Sequence, residues 1–295
     1  MPEGVCATQH SEMRRMAARA GAIAGLFLAL AACGRAQPGP SMQLGQEPTA
    51  PASPGPGAEP AVEVLAQGLD TPWAIDFAPD GRLFVTERPG RIRVVREGRL
   101  DPEPWLTLDV AEVGEAGLLG LALDRQFAES GYVYVAHTYR AADGGLRNRL
   151  VRLREDPVSG RGTLDRVLLD GVGGANLHDG GRVRFGPDGK LYWTTGDAEE
   201  PGRAQDTQSL NGKILRLNPD GSVPEDNPFA GSPVYSYGHR NPQGLAWHPN
   251  TGRLYATEHG PQANDEVNLI EAGRNYGWPL ATGEQTVSPL ITSGA

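Results

Sequence analysis

The sequence predicts an all-β protein, a β-propeller with about four blades and the start of a fifth, and three observations carry that prediction. First, one strand–turn–strand pattern recurs: WAIDFAPDGRLFVT at 73–86, a looser LLGLALDRQFAESGYVYVAH at 118–137, GRVRFGPDGKLYWTT at 181–195 and QGLAWHPNTGRLYAT at 243–257. The turns are built on Pro-Asp-Gly or its equivalent, and the flanks are β-branched and aromatic. Second, each copy is followed by another short apolar strand: GRIRVV at 90–95, NRLVRL at 148–153, GKILRL at 212–217 and DEVNLI at 265–270. The first strands begin near residues 74, 118, 182 and 244, a spacing of about 44 to 64, which is the period of propeller blades. Third, no stretch past residue 60 sustains a helical period. A two-sheet sandwich also has many short strands and stays open as an alternative.

Taken in order, the chain begins with an export signal. Arg14, Arg15 and Arg19 form a positive region, and an apolar run over 20–32 is too short to span a bilayer as an ordinary helix. It ends in Leu30-Ala31-Ala32-Cys33, a lipobox pattern, so residues 1–33 read as a signal peptide, with Met13 the better start. The expected product is exported to the periplasm with lipid on Cys33, the membrane being reached only through that anchor. Residues 34–60 are rich in Pro, Gly, Ala and Ser and read as a flexible tether. Residues 61–295 make up the propeller domain, which reads as incomplete because a fifth blade would begin where the sequence stops.

Composition narrows the function. The 295 residues carry a formal net charge of −9, which argues against nucleic acid as a partner. The two cysteines, Cys6 and Cys33, both precede the folded part and exclude a disulfide framework, a cysteine metal site or a cysteine nucleophile there. No HExxH, P-loop or GxGxxG opening a helix is present, so nucleotide cofactors of the Rossmann type are not expected.

Five stretches are polar beyond what a loop needs: 114–120 (GEAGLLG), 176–181 (NLHDGG), 237–244 (YGHRNPQG), 258–266 (EHGPQANDE) and 273–279 (GRNYGWP). The first four read as flanking inner strands, whose ends converge at one mouth of a propeller channel. His178 at one strand mouth and Asp197 at the end of the next strand can face one pocket, with Arg240 and Asn241 beside them. Arg240 could instead be a surface charge or an ion pair with Asp197, and Asn241 could merely set a turn. The Gly260-Pro261 carbonyls could bind a hard cation such as Ca²⁺, and Asp265 and Glu266 could supply further oxygens. His239 and His259 read as structural or rim residues.

Together these stretches resemble the soluble quinoprotein glucose and aldose sugar dehydrogenases, the glucose/sorbosone dehydrogenase family. GHRNPQG followed by HGPQANDEVN is the specific part, and the likeness spans residues about 62–282. The resemblance implies a six-bladed propeller using pyrroloquinoline quinone and calcium to oxidise aldoses, with an external electron acceptor. It implies His178 as the base for the anomeric hydroxyl, Asp197 as its acidic partner, and Arg240 and Asn241 as quinone contacts, with Arg240 polarising the reacting carbonyl. It implies Gly260 and Pro261 as backbone calcium ligands, Glu266 and Tyr276 near a second calcium, and Glu115 where some relatives carry Gln against the cofactor. Two alternatives stand beside it: a non-catalytic propeller that binds a sugar or a protein, and a calcium-dependent hydrolase of the lactonase type. The latter calls for several Asp, Asn and Glu side chains around one calcium.

Overall fold

A computed structural model describes residues 62–283, within the compact unit Ala61–Ala295. The export signal, Cys33, the tether and the last residues of the expected fifth blade lie outside the described residues.

Sixteen strands form four antiparallel sheets taken up in chain order. The first holds β1 (Pro72–Phe77), β2 (Leu83–Glu87), β3 (Arg91–Arg96) and the short β4 (Arg99–Leu100) and β5 (Leu106–Thr107). The second holds β6 (Leu118–Leu123), β7 (Tyr132–Arg140), β8 (Leu146–Glu155) and β9 (Gly162–Gly173). The third holds β10 (Val183–Phe185), β11 (Leu191–Thr195), β12 (Lys213–Leu217) and β13 (Val234–Tyr237). The fourth holds β14 (Pro242–Trp247), β15 (Leu254–Glu258) and β16 (Glu266–Ile270). The only α-helix among the described residues is the single turn Phe127–Ser130.

The core decides between propeller and sandwich. Val133 and Val135 of β7 pack towards the first sheet with Phe84, Ile92 and Trp105, whereas Tyr134 and Ala136 of the same strand pack towards the third with Leu191 and Trp193. Leu215 of β12 joins that second layer, and its neighbour Ile214 joins Leu245, Leu254 and Ile270 of the fourth sheet. Successive side chains on a strand point to opposite faces, so the middle sheets are buried on both. That explains their unbroken apolar strands, such as LLGLAL, all six residues of which are buried. Three apolar layers between four sheets in sequence are a propeller arrangement, not a two-layer sandwich.

Strand direction then sorts the loops. In a four-stranded antiparallel blade the turns joining strands one to two and three to four leave at one end. Those joining two to three, and the crossing to the next blade, leave at the other. The Pro-Asp-Gly turns at 79–81 and 187–189 join first to second strands, so they lie on one rim. Connections 108–117, 174–182 and 238–241, which cross between blades, share the opposite rim with loops 196–212 and 259–265, which join second to third strands.

Candidate active site

That second rim gathers the polar stretches. His178 comes from the crossing before β10, Asp197 from the loop after β11, Arg240 and Asn241 from the crossing before β14, Glu115 from the crossing before β6, and Gly260 from the loop after β15. One placement differs from expectation: 258–266 does not flank an inner strand but joins the second and third strands of its blade. It reaches the same rim because those loops and the inter-blade crossings leave at the same strand ends.

His178 Nδ1 lies 2.8 Å from Asp197 Oδ1. An ionised carboxylate only accepts, so Nδ1 carries a proton, and in the neutral ring Nε2 holds the lone pair. Nε2 has no hydrogen-bond partner among the described residues, and the side chain is 15% exposed. Asp197 is fully buried, and donors surround it. Oδ1 also accepts the Glu199 backbone N–H at 2.9 Å, and Oδ2 accepts the Trp278 indole N–H at 2.7 Å. Its backbone N–H donates to the Arg240 carbonyl at 2.8 Å, which ties the Asp197 loop to the next crossing.

The chain comes unusually close to itself here. A Cβ on Gly196 would sit 1.8 Å from the His178 carbonyl oxygen, so the loop bearing Asp197 needs a glycine to pass under the loop bearing His178. His178, Ala198, Glu199 and Asn264 are four of the six non-glycine residues with positive φ among the described residues. Each such conformation costs roughly 1–3 kcal/mol and persists only where its surroundings over-determine it.

Arg240 does not pair with Asp197. Its backbone N–H meets a carboxylate oxygen of buried Glu258, and its guanidinium Nη1 donates to the carbonyls of Gly260 at 3.0 Å and His259 at 3.3 Å. Its buried Nε has no partner among the described residues, and the guanidinium lies 5.4 Å from the Trp278 ring centroid. Asn241, 1% exposed, accepts the Gly180 N–H at 3.0 Å and donates to Glu115 Oε2 at 3.3 Å. The same Glu115 oxygen accepts the His178 backbone N–H at 3.1 Å, so Glu115 braces His178 against Asn241.

Gly260, Pro261, Glu266 and Tyr276 line one cavity of about 10 Å³ with Arg240 and Trp278, room for a single water or ion. The Gly260 carbonyl is turned towards Arg240 and out of the strand ladder, and oxygen donors of this kind suit a hard cation. A Cβ on Gly260 would lie 2.0 Å from the Ala263 carbonyl, which keeps this tight loop glycine-dependent. The side chains expected at a second calcium have other partners. Tyr276 Oη donates to the Leu269 carbonyl at 2.6 Å and accepts the Glu271 N–H at 2.8 Å. Glu266 accepts from the Gly283 N–H and from Asn268 Nδ2, and the Asp265 carboxylate accepts the Gly260 N–H at 3.0 Å. Among the described residues no group of three or more His, Cys, Asp or Glu is arranged to hold a metal.

His239 and His259 have separate partners. His239 is fully buried between Glu258 and Ser236 and stacks on Tyr276 at 4.7 Å, while His259 bonds Gln243 at the surface. Two residues of the site have no role that the sequence alone assigns. Trp278 lies within the polar GRNYGWP stretch, where an aromatic inside a glycine-rich loop is the available signal. Asp179 stands out there only as the neighbour of His178. It is 2% exposed, with Oδ1 accepting from Asn148 Nδ2 at 2.7 Å and from the Ala175 N–H, and Oδ2 without a partner among the described residues.

Burial, reinforced by the nearby Glu115 charge, pushes the Asp179 carboxyl up to about 6. The folded state therefore binds more protons than the unfolded chain between about pH 4 and 6, and stability falls as pH rises through that window. Asp179→Asn keeps the Oδ1 acceptor and removes the charge. It is expected to be more stable than the parent by about 2–3 kcal/mol at pH 7.5, the difference vanishing near pH 4. Urea unfolding at the two pH values checks this, and a variant less stable at pH 7.5 contradicts it.

Against known proteins, the glucose/sorbosone dehydrogenase family profile matches residues 69–292. A solved structure from Thermus thermophilus, described as an oxidoreductase (glucose dehydrogenase), is 53% identical, covers 78% of this chain and 70% of its own, and superposes with a TM-score of 0.72. The PQQ-bound form of aldose sugar dehydrogenase from Streptomyces coelicolor is 40% identical, with coverages of 78% and 68% and a TM-score of 0.72. Quinoprotein glucose dehydrogenase B of Acinetobacter calcoaceticus is 38% identical over 257 residues, 75% of this chain and 52% of that protein. The chain spans between 52% and 62% of the length of the first curated relatives it matches.

Proposed function

Because this chain belongs to the glucose/sorbosone dehydrogenase family, we propose that it is a quinoprotein oxidoreductase that takes the C1 hydroxyl of aldose sugars to the lactone with pyrroloquinoline quinone and calcium, passing electrons to an external acceptor. The observation that carries the proposal is the His178–Asp197 pair, whose partnerless Nε2 opens on the rim that Arg240 and Asn241 share. The residues fit the cofactor set: the partnerless Nε of Arg240 suits a group that carries or gathers negative charge, and the Gly260 carbonyl beside a cavity of ionic size suits calcium. When bound, the quinone supplies the two-electron acceptor and calcium the positive charge that steadies it.

The chain's own part is proton handling and placement. His178 Nε2 accepts the proton of the C1 hydroxyl as C1 gives up its hydride. Asp197 holds the ring in the tautomer that leaves Nε2 basic and faces the positive charge that develops on the imidazole. Arg240 and Asn241 would hold the quinone, and the Gly260 and Pro261 carbonyls would ligate calcium. Backbone carbonyls in that role favour this reading over the lactonase alternative, which needs several acidic and amide side chains around one ion.

Reconstitution tests it. Full chain loaded with calcium and pyrroloquinoline quinone is expected to reduce a redox dye with aldoses and to lose that activity when the calcium is chelated. Quinone binding without turnover on any of a panel of aldoses would leave a non-catalytic binder and sink the proposal.

A further inference from the structure

Trp278 does more at this site than fill space. Its indole N–H donates to Asp197 Oδ2 at 2.7 Å, the side of the carboxylate turned away from His178. Its backbone N–H donates to the Gly238 carbonyl at 2.9 Å, and its own carbonyl accepts from Gln205 Nε2 at 2.6 Å. Gln205 in turn exchanges two hydrogen bonds with Asn275, at 2.7 and 3.0 Å. The loop is thus pinned on both sides of the indole, and the ring also lies beside the Arg240 guanidinium.

We propose that Trp278 is a positioning residue that clamps Asp197, fixing the carboxylate rotation that points Oδ1 at His178 Nδ1 and restraining how strongly that oxygen attracts the imidazole proton. The clamp rests on reading His178 as the proton acceptor. A carboxylate shared between two ring N–H donors on opposite oxygens is a weaker acceptor for each than for either alone. Removing the indole donor concentrates the attraction on His178. The charged groups around His178 are Asp197 on its Nδ1, Glu115 on its backbone N–H and its own neighbour Asp179. Trp278→Phe replaces none of them, takes one donor from Asp197 and keeps a ring beside Arg240.

The test uses the full chain labelled with ¹⁵N-histidine, without quinone or sugar. In Trp278→Phe the His178 Nδ1–H resonance is expected to move downfield of its position in the parent, as the bond to Asp197 strengthens. A resonance that stays in place or moves upfield overturns the clamp. The unaltered protein gives a second readout that no folding defect can obscure. Its Trp278 indole N–H proton is expected downfield of a water-exposed indole, as a donor to a buried carboxylate is, and an indole signal at the exposed position also overturns the clamp. Because neither readout needs turnover, an inactive reconstituted protein with both signals as expected would sink the oxidoreductase reading and leave the clamp standing.

Discussion

Replacing His178 with alanine is expected to lower aldose turnover in the cofactor-loaded protein by about 10²–10⁴-fold, the range a positioned general base contributes. The substitution removes Nε2, the ring atom proposed to meet the sugar, and leaves the Arg240 and Asn241 side-chain contacts in place. Quinone affinity should therefore stay within a few-fold of the parent. Arg240→Ala should behave differently, weakening quinone binding and turnover together. Titrating quinone into each variant and then measuring dye reduction separates the two. Full activity in His178→Ala would remove the base from the mechanism, and a matched loss of quinone binding would mean that His178 holds the cofactor.

The largest effect on stability is expected at Lys213, the first residue of β12. Its side chain is fully buried, and Nζ donates to the carbonyls of Asn211 at 2.6 Å, Arg203 at 2.9 Å and Ala204 at 3.0 Å. These carbonyls belong to the loop 196–212 that carries Asp197, so the ammonium draws the far half of that loop onto the sheet. Methionine fills similar volume without a donor, and Lys213→Met is expected to cost about 3 kcal/mol in urea unfolding at pH 6, where the ammonium keeps all three N–H groups. Burial pushes the ammonium down to about 7. Between about pH 7 and the unfolded lysine value near 10.4, the unfolded chain binds more protons, so the parent gains stability as pH rises through that window. The variant lacks the group, so its deficit should widen from pH 7 to 10. A deficit that is flat or shrinking with pH would contradict this account.

The fold is legible in the sequence because its repeating unit is local. A Pro-Asp-Gly turn between alternating strands is written in consecutive residues, and a third apolar strand follows at a short interval. The convergence of His178, Asp197, Arg240 and Asn241 needs only the rule that strand ends meet at a channel mouth. What stays hidden depends on contacts between loops far apart in sequence. Nothing in GKILRL says that its lysine turns inward to three carbonyls. Nothing in GRNYGWP says that its tryptophan reaches back 81 residues to Asp197. Arg240 reads equally well as an ion-pair partner of Asp197, and only the donors already around that carboxylate show why it turns to the carbonyls of the neighbouring loop.

The sorting of loops onto two rims sets how freely each can drift. On the rim of the Pro-Asp-Gly turns, connections such as 249–252 are exposed and bonded mainly within themselves, so a residue gained or lost there disturbs one hairpin. On the other rim, segments from different crossings press backbone against backbone, as Gly114 does against Asn176, and a single added residue would displace both partners. Homologues should therefore vary in loop length on one rim and hold it nearly constant on the other. Inserted domains, tags or surface tethers belong on the permissive side.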